Sequence, residues 1–327
     1  MKLSIIIPVY NAEKYVGMCL DSCLHEWGVI NVDYEIICVN DGSTDGTLAI
    51  LREYEKKYGI RVHDKSNTGV SDTRNIGLSL AEGDYVWFVD SDDCIHPYSF
   101  AVIDKALQND EDGFVFNYKS VAEDFTVDRL LPIDIETLRF TPFTTSFHNP
   151  VVVITKRTHL CNHNIKFKVG MPYGEDTLWA FWCLLYPHNY VTAEVDLYYY
   201  RQNPNSAMHQ KNTAARAKWL KSMLIMLEEY KYVLDNWNSE MLESKHQETR
   251  DRLDWSVQNV MFGALRMSRE ECISIWDTLK QNKYYPYKIQ LSRLTGSVGL
   301  GDLKTNAFCL LFPCRWYYKL LIKLMTK

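Results

Sequence analysis

Three carboxylates fall within four positions at Asp90-Ser91-Asp92-Asp93, straight after the apolar run Tyr85–Val89. Crowded acids repel one another and resist desolvation. A hard divalent cation such as Mg²⁺ or Mn²⁺ removes that cost, binding one or two carboxylates together with phosphate oxygens. The competing reading is a turn that caps a helix before Pro97, because Asp suits both roles. A second acidic pair, Glu175-Asp176, follows Gly174 and opens the apolar segment TLWAFWCLL. Acids in a first helical turn are stabilised by the helix dipole. Alternatively, one of them serves as a general base at the edge of a cleft.

The segment Asn40 to Thr47 imitates the start of a calcium loop, with Asp41, Ser43, Asp45 and Gly46 at loop positions 1, 3, 5 and 6. Arg52 then stands where the bidentate Glu belongs, and a strand rather than a helix precedes it, so that reading fails. Two uses remain. Asp45 caps the next helix, or Asp41 accepts a hydrogen bond from a ligand's ring N–H. In Asn67-Thr68-Gly69-Val70-Ser71-Asp72-Thr73-Arg74, a glycine precedes a helix whose N-terminus could face an anion. Arg74 could reach a diphosphate there, or Ser71 or Asp72 caps the helix and Arg74 is solvated. Further on, Tyr198-Tyr199-Tyr200-Arg201 leads into a loop containing Ser206 and His209, a candidate metal or phosphate ligand. His159, Cys161 and His163 have ligand spacing without a fourth partner and read as structural.

These residues need elements to hold them. LSIIIPV (3–9), YEIICVN (34–40), IRVHD (60–64) and DYVWFVD (84–90) are short apolar runs suited to parallel strands buried on both faces. Helix-like segments around 12–26, 45–58 and 71–82 separate them, the pattern of right-handed crossovers on a parallel sheet. Ligands of open α/β sheets bind beyond the carboxyl ends of the strands. That rule directs attention to 8–11, 40–45, 64–67 and 90–93. Weaker strand signals follow at 113–118, 151–154 and 190–201, with a helix near 176–185. Positions 214–236, 239–267 and 269–282 are helical in pattern, with Leu, Met and Trp stripes whose default reading is core packing. The segment 284–306 reads as a loop.

The chain has 327 residues and a formal net charge of −5, so it is not a polybasic nucleic-acid binder. Its length suggests two domains, or one with an appendage. Nine scattered cysteines without a CxxC pair read as reduced thiols. The apolar stretch 3–9 reads as a buried strand rather than a signal peptide, and no run is long enough for a transmembrane helix.

Taken together, SIIIPVYNAEKYV (4–16), VNDGSTDGT (39–47), NTGVSDTRNIGL (67–78), GDYVWFVDSDD (83–93) and GED (174–176) resemble the family 2 glycosyltransferases. Each motif is unspecific alone; five in this order and spacing are specific. The resemblance covers about 1–210. It implies a GT-A fold for that part: an α/β, Rossmann-like, mostly parallel sheet flanked by helices. The helical pattern beyond it, covered by no family motif, adds a C-terminal region, so the chain reads as a catalytic domain at 1–210 and a helical region at 211–327. Within the former, 1–95 is the nucleotide-binding half and 96–210 the acceptor half.

The resemblance further implies an inverting, metal-dependent transfer from a nucleotide-sugar, usually a UDP-sugar, to a hydroxyl. The acceptor is a saccharide or lipid-linked saccharide of cell-surface polysaccharide synthesis. Pro8, Tyr10, Asn11, Asp41, Arg74, Asp90, Ser91 and Arg201 are expected at the donor, with Tyr10 under the base and Asp41 on its N–H. Asp92 is the expected main ligand of Mn²⁺ or Mg²⁺, joined by Asp90 and His209, with Asp93 behind. Asp176 is the expected base and Glu175 its neighbour on donor or acceptor. The alternatives are a sugar-phosphate nucleotidyltransferase, which lacks its Gly- and Arg-rich loop here, and a non-catalytic binding protein on a decayed domain.

Pro313 can open a helix in which Arg315, Lys319, Lys323 and Lys327 recur every four residues among Trp316, Tyr317, Tyr318, Leu320, Leu321 and Ile322. Such a helix suits an anionic membrane surface. The expected location is cytoplasmic, peripheral on the inner face of the plasma membrane. The bland alternative packs 313–327 on the body with its lysines solvated.

Overall fold

A computed structural model describes residues 2–24, 32–127, 130–202, 213–264, 269–282 and 284. The chain divides into two compact units, Met1–His209 and Gln210–Lys327.

In the first unit, β1 (Lys2–Val9), β2 (Asp33–Asp41), β3 (Arg61–Lys65) and β4 (Tyr85–Phe88) alternate with α1 (Val16–Leu24), α2 (Thr47–Tyr58) and α3 (Val70–Leu80). The four strands are mutually parallel in the order β3-β2-β1-β4. Every residue of β1 from Leu3 to Val9 is buried, as a strand covered on both faces requires. α3 lies close on the sheet because Gly77 has no side chain. A Cβ there would stand 2.3 Å from Ile6 Cγ2.

The rest of the unit contributes β5 (Cys94–Ile95), α4 (Ser99–Ala106), β6 (Gly113–Val121), β7 (Thr141–Pro142), β8 (Val153–Lys156), α5 (Arg157–Asn162), α6 (Glu175–Leu185) and β9 (Tyr190–Arg201). The strand signals at 113–118, 151–154 and 190–201 all join the same sheet, which continues from β4 as β8-β6-β9-β5. Here the parallel expectation reaches its boundary. β8 runs antiparallel to both β4 and β6, and β5 and β7 run antiparallel to β9. β6 and β9 alone in this half pair parallel. A parallel partner needs a long crossover, usually helical. Between β6 and β8 the described chain offers only two short 3-10 turns and the two-residue β7. The β6–β9 register shifts between Val115 and Tyr118, an irregularity that redirects the end of β9.

In the second unit, α7 (Thr213–Asp235), α8 (Ser244–Ala264) and α9 (Arg269–Gln281) match the three helical patterns. Leu220, Met223, Met226, Leu227, Tyr230 and Val233 of α7 are buried, as are Val257 and Val260 of α8 and Ile275 and Leu279 of α9. The Leu and Met positions named here are therefore core, whereas Trp255 of α8 stands 51% exposed, so the Trp part of the expectation does not hold there. No described helix is long and apolar enough to cross a membrane. The basic tail at 313–327 lies outside the described residues.

Candidate active site

The loops after β1 and β2 are locked together by side-chain caps on backbone groups. Asn11, in the left-handed region at φ 47°, accepts the Thr44 N–H at 2.8 Å and donates its own N–H to Ser43 Oγ at 2.9 Å. Ala12 N–H reaches Thr47 Oγ1 at 2.8 Å, and Glu13 accepts the Gly46 N–H at 2.6 Å. Asp45 accepts from Thr47 N at 3.1 Å, closing the turn before α2, but the N-cap position is Gly46 and no side chain caps the helix. Pro8 is buried inside β1, whereas the Tyr10 ring stands 51% exposed above the strand ends. An exposed ring on a rigid loop can stack on a base.

Asp41 ends β2 and is buried. Its Oδ1 accepts the Thr68 N–H at 2.8 Å and its Oδ2 the Gly69 N–H at 2.9 Å. Lys65, opposite it at the end of β3, completes an ion pair with Oδ1 and also contacts Thr68. An ionised carboxylate has about four acceptor positions. One more N–H donor can therefore be received at Oδ2.

α3 starts at Gly69, whose φ of 95° suits glycine, and no side chain caps it. Neither Ser71 nor Asp72 fills that role; Asp72 instead accepts from Thr68. Arg74 is buried rather than solvated. Its Nη2 donates to Asp90 Oδ1 at 2.9 Å and its Nη1 to Glu175 Oε1 at 3.2 Å. The guanidinium lies 5.1 Å from the centre of the Phe167 ring. Arg74 thus bridges the acids after β4 to the acids that open α6.

Gly174, at φ 75°, turns the chain into α6. Glu175 and Asp176 then sit in its first turn. Burial pushes the Glu175 carboxyl up; Arg74 pulls it down and Asp176 pushes it up again. Asp176 is likewise raised by burial, against the Thr177 N–H bonded to it at 2.7 Å and the Arg74 charge, with Asp90 adding to the rise. Two carboxyls raised by burial beside an arginine are candidates for proton transfer.

The acids after β4 sort into different roles. Asp90 and Asp92 are partly exposed, with Asp90 held by Arg74. Asp93 is buried, accepting from the Tyr198 hydroxyl and from Arg201 N at 2.7 Å. Burial pushes its carboxyl up to about 8, reinforced by Asp90 and Asp92. Asp93 therefore faces inward, as a supporting group. Among the described residues no set of three or more His, Cys, Asp or Glu could hold a metal ion unaided.

Arg201 departs from expectation. Its side chain is 1% exposed and does not present itself to a donor. Nε donates to Asp92 O at 2.9 Å, Nη1 to Phe125 O at 3.0 Å and to Glu123 O, and Nη2 to Cys94 Sγ at 3.1 Å. A guanidinium spent on buried acceptors is a brace. His209 lies outside the described residues. His159 Nε2 pairs with Cys183 O and the His163 ring stacks on Tyr186, so this pair is structural as read. Phe167 carries no signal in the sequence; Lys65 falls only within the strand-end stretch 64–67, and Tyr198 only within its run of three tyrosines, neither with an assigned role.

The family model described as glycosyl transferase family 2 matches residues 4–170. The uncharacterized glycosyltransferase EpsJ of Bacillus subtilis is 32% identical over 216 residues, 62% of this chain and 62% of that protein. A poly(ribitol-phosphate) beta-glucosyltransferase of Bacillus spizizenii is 47% identical over 98 residues, 29% of this chain and 15% of that protein. The chain thus spans less than two thirds of the length of either relative. The solved structure of Staphylococcus aureus TarS 1-349 in complex with UDP-GlcNAc superposes with a TM-score of 0.55 at 20% identity. That likeness covers 89% of this chain and 95% of the solved one.

Proposed function

Because the chain belongs to glycosyl transferase family 2 and has a GT-A type α/β fold, we propose that it transfers a sugar, with inversion, from a UDP-sugar to a hydroxyl. The acceptor is a saccharide or lipid-linked saccharide of a cell-surface polysaccharide. The carrying observation is the convergence of Asp90, Arg74, Glu175 and Asp176, from three separate elements, beyond the carboxyl ends of the parallel strands. The donor reading draws support from the UDP-GlcNAc complex of TarS. It also draws on Asp41, whose remaining acceptor position at Oδ2 matches a base with one ring N–H.

Tyr10 stacks on that base and Asn11 keeps the loop beneath it rigid. The acceptor hydroxyl gives its proton to Asp176 as its oxygen bonds the anomeric carbon. The bond from that carbon to the diphosphate breaks on the opposite face, and UDP leaves. One displacement inverts the centre without a covalent enzyme intermediate. Glu175, paired with Arg74, contacts donor or acceptor beside the base. The donor set suits Mn²⁺ or Mg²⁺: Asp92 is partly exposed on a turn whose backbone is fixed, and phosphate oxygens complete such sites. Asp92, joined by Asp90, would hold such a cation, whose positive charge would offset the charge of the departing diphosphate. Asp90 contributes beside Asp92, with one oxygen already on Arg74.

Asp176→Asn should leave UDP affinity within about twofold by calorimetry while lowering turnover by about 10²–10⁴-fold, the usual worth of a general base. Near-normal turnover in that variant rules out Asp176 as the base. The tail at 313–327 belongs to the same proposal: its basic, aromatic stripe holds the protein on the anionic inner face of the membrane.

A further inference from the structure

We propose that Tyr198 and Arg201, at the carboxyl end of β9, are positioning residues that fix the Asp90–Asp93 turn and so aim the Asp92 carboxylate at the donor's diphosphate. The inference rests on the cation reading above and adds what makes that site rigid.

The turn closes on itself through Asp93 N–H to Asp90 O at 3.1 Å. β9 supplies further ties from more than a hundred residues away. Asp90 N–H donates to the Tyr198 hydroxyl oxygen at 3.1 Å, and that hydroxyl donates to Asp93 Oδ2. Asp93 Oδ1 accepts the Arg201 N–H at 2.7 Å, and Arg201 Nε donates to Asp92 O at 2.9 Å. The tie to Asp92 runs through its carbonyl, so it fixes the backbone from which the carboxylate projects. Tyr198 and Arg201 are both almost wholly buried. The shifted β6–β9 register places Tyr198 beside Tyr118 and Arg201 beside Val121.

Arg201 also joins the turn to a strap that follows β6, through Glu123 O and Phe125 O. The Glu123 carboxylate in turn accepts from the Tyr15 hydroxyl at 2.6 Å and pairs with Lys14. The loop after β1, the turn after β4 and the strap after β6 therefore share one arginine. A ligand group held in its bound geometry loses less freedom on binding, which appears as affinity. The brace acts on the cation-dependent part of donor binding. The base contact at Asp41, made from the end of β2 through its own bonds to Thr68 and Gly69, lies outside it.

The test is calorimetric titration of UDP into the full chain with and without Mn²⁺. Tyr198→Phe removes one oxygen atom and conserves the ring. It should cut the tightening that Mn²⁺ gives by fivefold or more, leave the metal-free affinity within twofold, and melt within a few degrees of the parent. Arg201→Lys removes the brace independently and should act in the same direction; Asp92→Ala should abolish the tightening. A merely structural role would weaken UDP equally under both conditions, and that result overturns the proposal. A parent chain that responds to Mn²⁺ beside a Tyr198→Phe chain that responds equally also overturns it, leaving the cation reading intact. A parent chain whose UDP affinity ignores Mn²⁺ overturns both.

Discussion

Burial raises the pKa of both Glu175 and Asp176, and the charge of Arg74 lowers each against that rise. As the proposed base, Asp176 takes the acceptor's proton only when ionised. Its raised pKa therefore places the acid limb of the pH–rate profile above the ordinary carboxylate range, with activity lost as pH falls through that limb. Arg74→Gln removes the lowering charge, so the limb should move to still higher pH, read from rates of UDP release between pH 4 and 9. A limb that stays in place separates Arg74 from the acid pair. By residue type alone the acids at 90, 92 and 93 are equivalent, and only the family resemblance set Asp93 behind Asp92. The structure separates them by burial: Asp93 is tucked under β9 against hydroxyl and amide donors, while Asp90 and Asp92 are partly exposed and Asp90 pairs with Arg74. Arg201 was misjudged for the same reason: one guanidinium serves a phosphate or a set of carbonyls, and spacing does not say which.

At the scale of elements, α3 is the piece on which the site turns, since it carries Arg74 across the ends of β1 and β4. Its closeness to the sheet depends on Gly77, packed against Ile6 and Val39. Gly77→Ala forces a methyl group into that contact and should cost about 1–3 kcal/mol, as overpacked interiors do. Thermal or denaturant melts measure it, and an unchanged midpoint shows that the helix can lift without penalty. The strands β1, β2 and β4 were legible because burial leaves apolar runs. β3, expected to be buried on both faces, instead forms the sheet edge with none of its five residues buried, and its place in the alternation is what made it legible. The direction of β8 was not, because a strand's own side chains look the same whichever way it pairs. Nor were the two-residue strands β5 and β7, too short to leave a period.

For the whole molecule, the helical unit has its own buried stripe, and the basic tail beyond it is legible only as sequence. Each basic residue near an anionic bilayer contributes about 1 kcal/mol. Deleting 313–327 removes Arg315, Lys319, Lys323 and Lys327. Binding to vesicles containing phosphatidylserine should then fall on the order of 10²–10³-fold in a sedimentation assay, with little change on neutral vesicles. Equal binding before and after deletion refutes the membrane role.

Local pattern was enough for the alternating α/β architecture, the family and the acids worth watching. Those properties are written in short-range periodicity, turn chemistry and motif order, each carried by a few neighbouring residues. The tertiary structure decided which of those groups meet. Arg74 finds Glu175 across a separation of 101 residues, and Tyr198 finds Asp93 across 105. The tie from Tyr198 to Asp93 depends on the pairing of β4, β8, β6 and β9 side by side in one sheet, and burial then decides which acid is sequestered and which stays partly exposed.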